Sequence, residues 1–403
     1  MITVNEAVSL IETHLPKLEK SRVPIEASVG KILAQEIKSE RHQPPFNRMA
    51  MDGIAIDFKR WESGQRSFKV EGMQRAGEAQ KTLSSHENCM EAMTGGVLPE
   101  GASAVIRYED VRIDNGIAYI DENISVENMM NVHQFGIDHK QGDSLLKVGS
   151  FIRGAQVGII ASNGYSEIEV YDTPKIAIVS TGDELVDFGS DPLPHQIRKS
   201  NPYALQGELN GFGFEKTKLF HLKDEKEDIY NTLKNILDKY QVVVLSGGVS
   251  MGKFDFIPQV LGDLEVKQHF HKVAQRPGKP LWYGTGTKGQ GVFALPGNPI
   301  SCVTCLRRYV IPALFKAMNA ENESVCVQQQ YAVLKEDYLF NKSLTYFLPV
   351  CLEEGEDGVT YGHPIKTNGS GDYGALAFSD GIMELDKEVD QFKAGDKLPL
   401  FRW

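Results

Sequence analysis

Apolar runs of strand length alternate with segments of helical periodicity between residues 173 and 318. The run QVVVLS (241–246) has the continuous apolar character of a strand buried in a parallel sheet. It follows KEDIYNTLKNILDKY (226–240), in which apolar residues recur at helical spacing. KIAIVS (175–180) is an earlier strand of this kind, and GVFALPGNP (291–299) supplies a later one. Because such repeats imply right-handed crossovers, we predict an α/β domain whose parallel sheet carries helices on both faces.

Two further helices and a strand are predicted from local signals. At the start of the chain, Thr3 and Glu6 fit a capping box ahead of an amphipathic segment. NPYALQGELNGFG (201–213) is predicted to be helical, with Asn201 as its N-cap and a glycine at its end. KTKLFHL (216–222) then reads as a strand that leads into an acidic turn.

The segments on either side of the α/β region have a different pattern. Residues 45–139 contain short apolar stretches separated by turn residues, which is typical of β structure. Within them, Asn115 and Gly116 lie between alternating apolar residues and predict a hairpin. Residues 319–403 again indicate short strands. The expected protein is therefore multidomain α/β, with a central parallel-sheet domain, an inserted mainly β domain and a C-terminal β domain.

Composition excludes some classes of function. The formal net charge of −11 argues against broad nucleic-acid binding, because neutralising phosphates requires a basic face. No apolar run is long enough to cross a membrane, and the N-terminal residues lack the pattern of an export signal. Five scattered cysteines give no disulfide framework. We expect a cytoplasmic protein that binds neither nucleic acid nor membrane.

Three short motifs have structural interpretations. Cys302 and Cys305 form a C-x-x-C pair without further zinc ligands at suitable spacing, so we expect them to pack along a helix. His269 and His271 alternate as on a strand, and a metal site there lacks a third ligand. GTGTKG (284–289) matches a dinucleotide-binding pattern but precedes a strand instead of opening a helix, so we interpret it as a turn.

Acidic and amide side chains follow the predicted strands where those strands end. Glu184, Asp224, Asp255 and Asn298 each come shortly after a strand, and ligands of open α/β sheets bind at the carboxyl ends of strands. Two carboxylates about 6 Å apart repel each other by about 3 kcal/mol at an effective dielectric constant near 20. A bound cation, nearby basic side chains or raised pKa values must offset that repulsion. Oxygen ligands beside a phosphate-binding loop favour Mg²⁺.

Glycine-rich loops at the same strand ends predict a phosphate site. Glycine lets the backbone approach a ligand and turn its N–H groups toward an anion. Basic side chains in RPGKP (276–280) add positive charge between prolines. The residues that we predict to contact the ligand are Ser246, Gly247, Gly248, Ser250, Arg276, Lys279, Pro296, Gly297 and Asn298. Together these loops indicate a cleft for a phosphorylated small molecule and a divalent metal.

A set of motifs in a fixed order resembles the MoeA family, the molybdopterin molybdenumtransferases that include the E domain of gephyrin. The matching segments cover most of the chain, and their number makes the resemblance specific. They are PPFNRMAMDGIA, MTGGVLPEGASAVIRYEDV, GIDHKQGD, IVSTGDEL, IRKSNPYAL, LSGGVSMGKFD, RPGKP and ALPGNPIS.

The resemblance implies four domains. An elongated linker and dimerisation domain is expected from residues 1–44 and 140–172, and an inserted mainly β domain from residues 45–139. Residues 173–318 would form the α/β domain, which resembles molybdopterin-binding proteins. Residues 319–403 would form the C-terminal β domain.

The resemblance also implies a homodimer whose active cleft lies between the α/β domain of one subunit and the inserted domain of the other. Asp52 and Thr94 would then complete the acidic edge formed by Glu184, Asp224 and Asp255. These five are the expected catalytic residues, and the last three are also the expected metal ligands.

The implied reaction inserts molybdate at the dithiolene sulfurs of adenylylated molybdopterin and releases AMP with Mg²⁺ present. Asp224 and Asp255 would act on the pyrophosphate side, and the glycine loops would cradle the pterin or nucleotide phosphate. Arg276 and Lys279 would attract molybdate or phosphate, and Ser370 would reach the cleft from the C-terminal domain. Transient contact with the adenylyltransferase that supplies the pterin is expected.

The sequence departs from the family pattern in one loop and at two single positions. VHQFGID places His133 and Ile137 where an arginine and a glutamate are usual, although Asp138 remains. Met49 stands where serine is common, and Arg276 stands where lysine is frequent. The departures at His133 and Ile137 bear on how this loop is used and leave the family assignment intact.

Two alternatives remain from the sequence: a molybdopterin adenylyltransferase with a similar α/β domain, and a scaffold of the gephyrin type without catalysis. The retained acidic residues favour catalysis over scaffolding, and the additional domains favour metal insertion over adenylylation. Molybdate and tungstate are nearly isosteric, so the sequence does not distinguish them as substrates.

Overall fold

A six-stranded sheet forms the centre of the computed structural model, which describes residues 1–249, 256–320 and 329–403. In chain order, its strands are β1 (Ile176–Thr181), β2 (Thr217–Leu222), β3 (Val242–Ser246), β4 (Lys267–His271), β5 (Trp282–Thr285) and β6 (Gly291–Leu295). Their order in space is β2-β1-β3-β6-β5-β4. The first four strands of that order are parallel, as predicted.

The remaining two strands, β5 and β4, run antiparallel to their neighbours. The sequence alternation did not reveal this edge, because β5 and β6 are joined by a turn and have no crossover helix between them. That turn is GTGTKG, and its interpretation as a turn is confirmed. The sheet is therefore mixed, with a parallel half and an antiparallel edge.

Helices cover both faces of the sheet. They are α1 (Asn201–Gly211), α2 (Lys226–Lys239), α3 (Ile257–Asp263) and α4 (Pro299–Cys305). On one face, Ile178 of β1 lies in the same apolar cluster as Leu205 of α1; on the other, Val179 lies in a cluster with Leu233 of α2. All four are fully buried, and burying a side chain of this size contributes about 1.5–3 kcal/mol. The predicted α/β fold class is confirmed.

The chain divides into two compact units by its internal contacts. One comprises residues 1–35, 148–157 and 167–403, and contains the α/β sheet; the other comprises residues 36–147 and 158–166. The four-domain division expected above uses other boundaries and stays a prediction.

The unit formed around residues 36–147 is mainly β, as predicted. Its six-stranded sheet has, in spatial order, the strands Ala104–Arg107, Gly53–Ile56, Asn88–Ala92, Ser67–Gln74, Ile117–Ile120 and Val111–Asp114. The last two strands pair as a hairpin across Asn115 and Gly116, which both have positive φ, as this turn sequence predicts. Ile54, Phe68 and Ile106 lie in its buried core.

The C-terminal segment folds as a β barrel. Five strands close a ring through successive pairings: Thr345–Glu354, Thr360–Pro364, Gln330–Leu334, Lys397–Arg402 and Gly381–Leu385, which pairs again with the first. The buried interior includes Leu334, Leu348 and Met383. A short strand, Gln275–Arg276, adds to Thr345–Glu354 from outside the ring.

The remaining elements are short, apart from the first helix. Thr3 and Glu6 form the predicted capping box at the start of helix Val4–Thr13. The other helical segments are Ile25–Ala27, Phe58–Glu62, Tyr108–Asp110, Gly154–Ser162, Leu306–Val310 (a π-helix), Ile311–Ala317 and Tyr373–Leu376. The other strands, in pairs, are Lys20–Pro24 with Glu167–Tyr171, Ile37–Lys38 with Ser144–Leu146, Arg48–Met49 with Val132–His133, Leu185–Val186 with Ile197–Arg198, and Tyr338–Leu339 with Gln391–Phe392.

Cys302 and Cys305 lie on α4 with both thiols buried, so the packing interpretation is confirmed. Burial raises the pKa of the Cys302 thiol to about 12, which keeps it protonated at neutral pH. Among the described residues, no helix is both long and apolar enough to span a membrane.

Candidate active-site cleft

A cleft of about 390 Å³ opens at the carboxyl ends of β1, β2, β3 and β6. The chain moves from β1 to β2 on one side and then returns past β1 to β3 on the other. The strand order therefore reverses between β1 and β3, which is where ligands bind in open α/β sheets. The lining residues are Ser180, Thr181, Gly182, Glu184, Leu185, Ile197, Arg198, Lys199, Ser200, Asn201, Pro202, Asp224, Ser246, Gly247, Gly248, Gly297, Asn298, Pro299 and Gly371.

The loop after β3 requires glycine at two successive positions. Gly247 and Gly248 have φ angles of +97° and +70°, a region that favours glycine. A Cβ atom on Gly248 would lie 2.7 Å from Cγ1 of Ile257 and 3.1 Å from Oγ1 of Thr181. The loop therefore lies against its neighbours without side chains of its own, and its backbone forms part of the cleft wall.

The loop after β6 lies beside the glycine pair. The Gly247 N–H donates to the carbonyl oxygen of Leu295 at 3.1 Å. A Cβ atom on Gly297 would lie 3.6 Å from Cα of Gly247. The two loops that we predicted to bind phosphate are thus brought together, with Ser246 at the end of β3 beneath them.

Asn201 joins these two loops, and its predicted role as an N-cap is wrong. Helix α1 begins at Asn201 itself, and Ser200 occupies the N-cap position. The Asn201 side-chain amide donates to Oγ of Ser246 at 3.0 Å and to the carbonyl oxygen of Gly297 at 2.6 Å. The only sequence signal was a polar residue at a helix start, and capping is the usual explanation for that position.

Ser370 reaches the loop after β6. Its hydroxyl accepts a hydrogen bond from the Asn298 side-chain amide at 2.8 Å, and its carbonyl oxygen accepts one from the Ile300 N–H at 3.2 Å. The next residue, Gly371, lines the cleft. The chain segment before helix Tyr373–Leu376 therefore contributes to the same wall as Asn298.

Two of the predicted carboxylates, Glu184 and Asp224, line the cleft. Glu184 follows β1, and its backbone carbonyl accepts a hydrogen bond from the Ile197 N–H at 2.9 Å. Asp224 lies two residues beyond the end of β2. Mg²⁺ is commonly held by one or two carboxylates together with substrate phosphates, so this donor set fits that ion. The third predicted carboxylate, Asp255, and the predicted ligand Ser250 lie outside the described residues.

Two basic residues that were not predicted as site residues contribute positive charge to the cleft. Arg198 and Lys199 both line it. The predicted cations Arg276 and Lys279 are exposed side chains that are not among the cleft-lining residues, and neither is Pro296, which is buried. Arg276 belongs instead to the short strand beside the barrel.

Asp52 and Thr94 meet in the mainly β unit, although 42 residues separate them. One carboxylate oxygen of Asp52 accepts hydrogen bonds from the Thr94 N–H at 2.6 Å and from the Thr94 hydroxyl at 2.7 Å. These two bonds hold the pKa of Asp52 below its usual value. The arrangement fixes an ionised carboxylate on an exposed surface.

Comparison with known proteins assigns the family. The chain is 38% identical over 405 residues to a molybdopterin molybdenumtransferase of Synechocystis, and the match covers 100% of both chains. This chain belongs to the MoeA family. A Staphylococcus aureus protein of the same name is 30% identical and covers 98% of this chain and 94% of its own.

Family profiles and solved structures agree with the assignment to MoeA. Residues 2–164 match the MoeA N-terminal region (domain I and II), residues 177–316 the "Probable molybdopterin binding domain", and residues 331–401 the MoeA C-terminal region (domain IV). A MoeA structure from Pyrococcus horikoshii superposes with a TM-score of 0.82 at 29% identity, covering 100% of this chain and 99% of the other. A second MoeA structure from that organism has a TM-score of 0.83 at 25% identity, with 100% of both chains covered.

The loop in which this MoeA chain departs from the family pattern has its own contacts. Nε2 of His133 lies 2.9 Å from Oδ1 of Asp138, so the histidine and the retained aspartate form a pair. Ile137 is 63% exposed. In this loop Ile137 thus presents an apolar side chain at the surface, and Asp138 has a nitrogen partner in His133.

Both histidines of β4 contact other groups of the protein. His269 stacks on His14 with 3.8 Å between ring centroids, and its Nε2 lies 2.8 Å from Oγ1 of Thr285. Burial and the neighbouring His14 lower the pKa of His269 to about 4. Nε2 of His271 lies 3.2 Å from the carbonyl oxygen of Val249. Across the described ranges, no group of three or more histidine, cysteine or acidic side chains is arranged to hold a metal ion.

Proposed function

We propose that this protein is a molybdopterin molybdenumtransferase that inserts molybdate into adenylylated molybdopterin and releases AMP. The observation that carries the proposal is the cleft at the strand reversal, where Glu184 and Asp224 lie beside the glycine loops at Gly247 and Gly297. Carboxylates suit a divalent cation, and glycine-rich backbone suits a phosphate. Relatives of 29–38% identity that share this chain's full architecture carry the same activity in their names.

The cleft carboxylates are proposed to hold Mg²⁺. Glu184 and Asp224 supply protein oxygen ligands, and Asp255 is the third ligand of the proposal. When bound, Mg²⁺ neutralises charge on the phosphoanhydride and so favours the departure of AMP. Glu184 follows the fully buried strand β1 and Asp224 follows the edge strand β2, so the two carboxylates that would hold the ion come from neighbouring strands of one sheet.

The glycine loops are proposed to bind the phosphate of the substrate. Backbone N–H groups near Gly247, Gly248 and Gly297 and the hydroxyl of Ser246 are the donors, with Ser250 as a further one. Asn201 and Ser370 position these loops through their hydrogen bonds to Gly297 and Asn298. Arg276 and Lys279 are proposed to attract molybdate or phosphate toward the cleft.

The proposal includes a homodimer in which Asp52 and Thr94 of one subunit complete the cleft of the other. The part given to this pair is supported by their mutual contact, since two hydrogen bonds from Thr94 hold the carboxylate of Asp52 at an exposed position. An adenylyltransferase is the proposed source of the substrate, which it would hand over in a transient contact.

Turnover of purified adenylylated molybdopterin tests the function directly. We expect AMP release that requires Mg²⁺ and is stimulated by molybdate or tungstate, with the better oxyanion identifying the natural substrate. If neither oxyanion stimulates AMP release, the transferase proposal is wrong. Binding and consumption of ATP without dependence on an oxyanion would instead favour an adenylyltransferase, and folded protein without either activity would favour a scaffold.

A further inference from the structure

Lys199 places a nearly buried positive charge in the wall of the cleft. Its side chain is 13% exposed, and Lys199 lines the same cleft as Glu184 and Asp224. Nζ of Lys199 lies 2.6 Å from Oδ1 of Asp187, whose side chain is 67% exposed. The side chain that carries the cation is therefore largely buried, whereas that of its carboxylate partner is exposed and does not line the cleft.

The backbone holds Lys199 in this position. Residues Leu185–Val186 and Ile197–Arg198 pair as a short parallel ladder beside the cleft. The Lys199 N–H donates to the carbonyl oxygen of Val186 at 2.8 Å, directly after that ladder. The same ladder holds Glu184, whose carbonyl accepts from Ile197. One small element thus fixes both an anion and a cation of the cleft.

The neighbouring arginine does not share this arrangement. Arg198 has a half-exposed side chain, and its Nε donates to the carbonyl oxygen of Ser190 at 3.2 Å. Its contact with Asp191 is long, at 3.9 Å between Nη2 and Oδ1. Its guanidinium group is directed to the loop around residue 190, so Lys199 is the better placed of the two cations for a ligand in the cleft.

We propose that Lys199 is a phosphate-binding residue of the cleft and that Asp187 is a competing counterion that holds its amine in place. The inference rests on the proposed function, because it takes the AMP phosphate of the adenylylated pterin as the ligand. A low-exposure ammonium group forms a stronger charge-assisted bond to phosphate than one in bulk water. Asp187 is already ionised, since the Lys199 amine lowers its pKa by hydrogen bonding and by charge.

Substitutions at Lys199 and at Asp187 should change the affinity for AMP in opposite directions. Lys199→Gln removes the cation and is expected to weaken AMP binding about tenfold or more, with adenosine binding unchanged. Asp187→Asn removes the competing negative charge and is expected to strengthen AMP binding by about twofold to fivefold. A purely structural ion pair predicts the same direction for both variants.

Calorimetric titration of the 403-residue chain with AMP and with adenosine distinguishes a phosphate-binding Lys199 from a purely structural ion pair. Lys288→Gln and Asp238→Asn are matched controls, because these residues form a 2.8 Å ion pair and neither of them lines the cleft. Both controls should bind AMP as the wild type does. Circular dichroism at the titration temperature confirms that each variant is folded.

Unchanged AMP affinity in folded Lys199→Gln, or weakened affinity in Asp187→Asn, would overturn the inference. The molybdate-stimulated release of AMP is measured separately on the wild type. If that stimulation is absent while AMP binding still depends on Lys199, the transferase proposal fails and the phosphate-binding role of Lys199 stands.

Discussion

At the scale of single residues, the side-chain amide of Asn201 connects the two loops that form the cleft wall. Its donor group bonds to Ser246 and to the carbonyl oxygen of Gly297. Asn201→Asp keeps the shape but turns the donor into an acceptor facing another acceptor. We expect the free energy of unfolding to fall by about 1–3 kcal/mol and the rate of AMP release to fall by about tenfold or more.

Urea unfolding and turnover measured on the same preparation check this prediction. Asn235→Asp is the control, because Asn235 is exposed on α2 and donates within its own helix, to the Asn231 carbonyl at 3.0 Å. Its effect should stay within about 0.5 kcal/mol. Wild-type stability and turnover in Asn201→Asp would show that this amide does not support the cleft.

A second residue-scale prediction concerns the pKa of Asp52. The Thr94 N–H and hydroxyl lower that pKa, so the stabilisation is present above the unfolded-state value of about 3.9 and is lost as the pH falls through the folded-state value. Thr94→Val removes the hydroxyl and keeps the backbone donor. The pKa of Asp52 should therefore rise toward the unfolded-state value.

Carboxyl-detected NMR titration of the wild type, Thr94→Val and the control Thr94→Ser measures the pKa of Asp52 in each protein. Thr94→Ser retains a hydroxyl and should keep the low pKa of Asp52. The difference in stability between wild type and Thr94→Val should be largest at neutral pH and should vanish in acid. An Asp52 pKa that is identical in Thr94→Val and in the wild type would contradict the assigned cause.

At the scale of elements, the loop between β3 and α3 depends on glycine geometry. Gly248 has a φ of +70° and lacks room for a Cβ atom beside Ile257. Gly248→Ala should lower the free energy of unfolding by about 1–3 kcal/mol and abolish most AMP release. Gly207→Ala is the control within α1, where a Cβ atom meets nothing within 4 Å.

The two alanine variants should change stability in opposite directions. Gly207→Ala is expected to raise the free energy of unfolding by about 0.5–1 kcal/mol, because alanine is favoured over glycine inside a helix. Thermal unfolding followed by circular dichroism measures both. A Gly248→Ala protein as stable as the wild type would mean that the loop is not held in the conformation described.

Strands and helices with a clear local pattern of apolar residues could be predicted from the sequence. Contacts between residues that are distant in the chain could not. The buried strand Val242–Ser246 and the helix Lys226–Lys239 are set by local apolar patterns, and both occur as predicted. The antiparallel β5 was missed because its four residues, Trp282–Thr285, are too few to show a periodicity, although the turn that follows them was identified. Lys199 was missed because its burial depends on the pairing of two segments eleven positions apart along the chain, Leu185–Val186 and Ile197–Arg198.

At the scale of the whole molecule, the family resemblance predicted groupings of distant residues that local sequence patterns did not predict. The turn residues Asp52 and Thr94 had no predicted partner from spacing alone, yet they bond to each other across 42 residues. A central α/β domain, a mainly β domain and a C-terminal β domain were expected and are confirmed, and the structure adds that the last of them is a barrel. The homodimer that the resemblance implies stays a prediction, because the internal contacts of one chain do not report on its assembly.

The cleft carboxylates are proposed to serve molybdate-dependent release of AMP. Single-turnover AMP release from adenylylated molybdopterin, with molybdate and Mg²⁺, should be compared between the wild type, Asp224→Asn and the exposed control Asp228→Asn on α2. We predict that Asp224→Asn lowers the rate by about a hundredfold or more while Asp228→Asn leaves it unchanged. Equal rates in the wild type and a folded Asp224→Asn protein would contradict the claim.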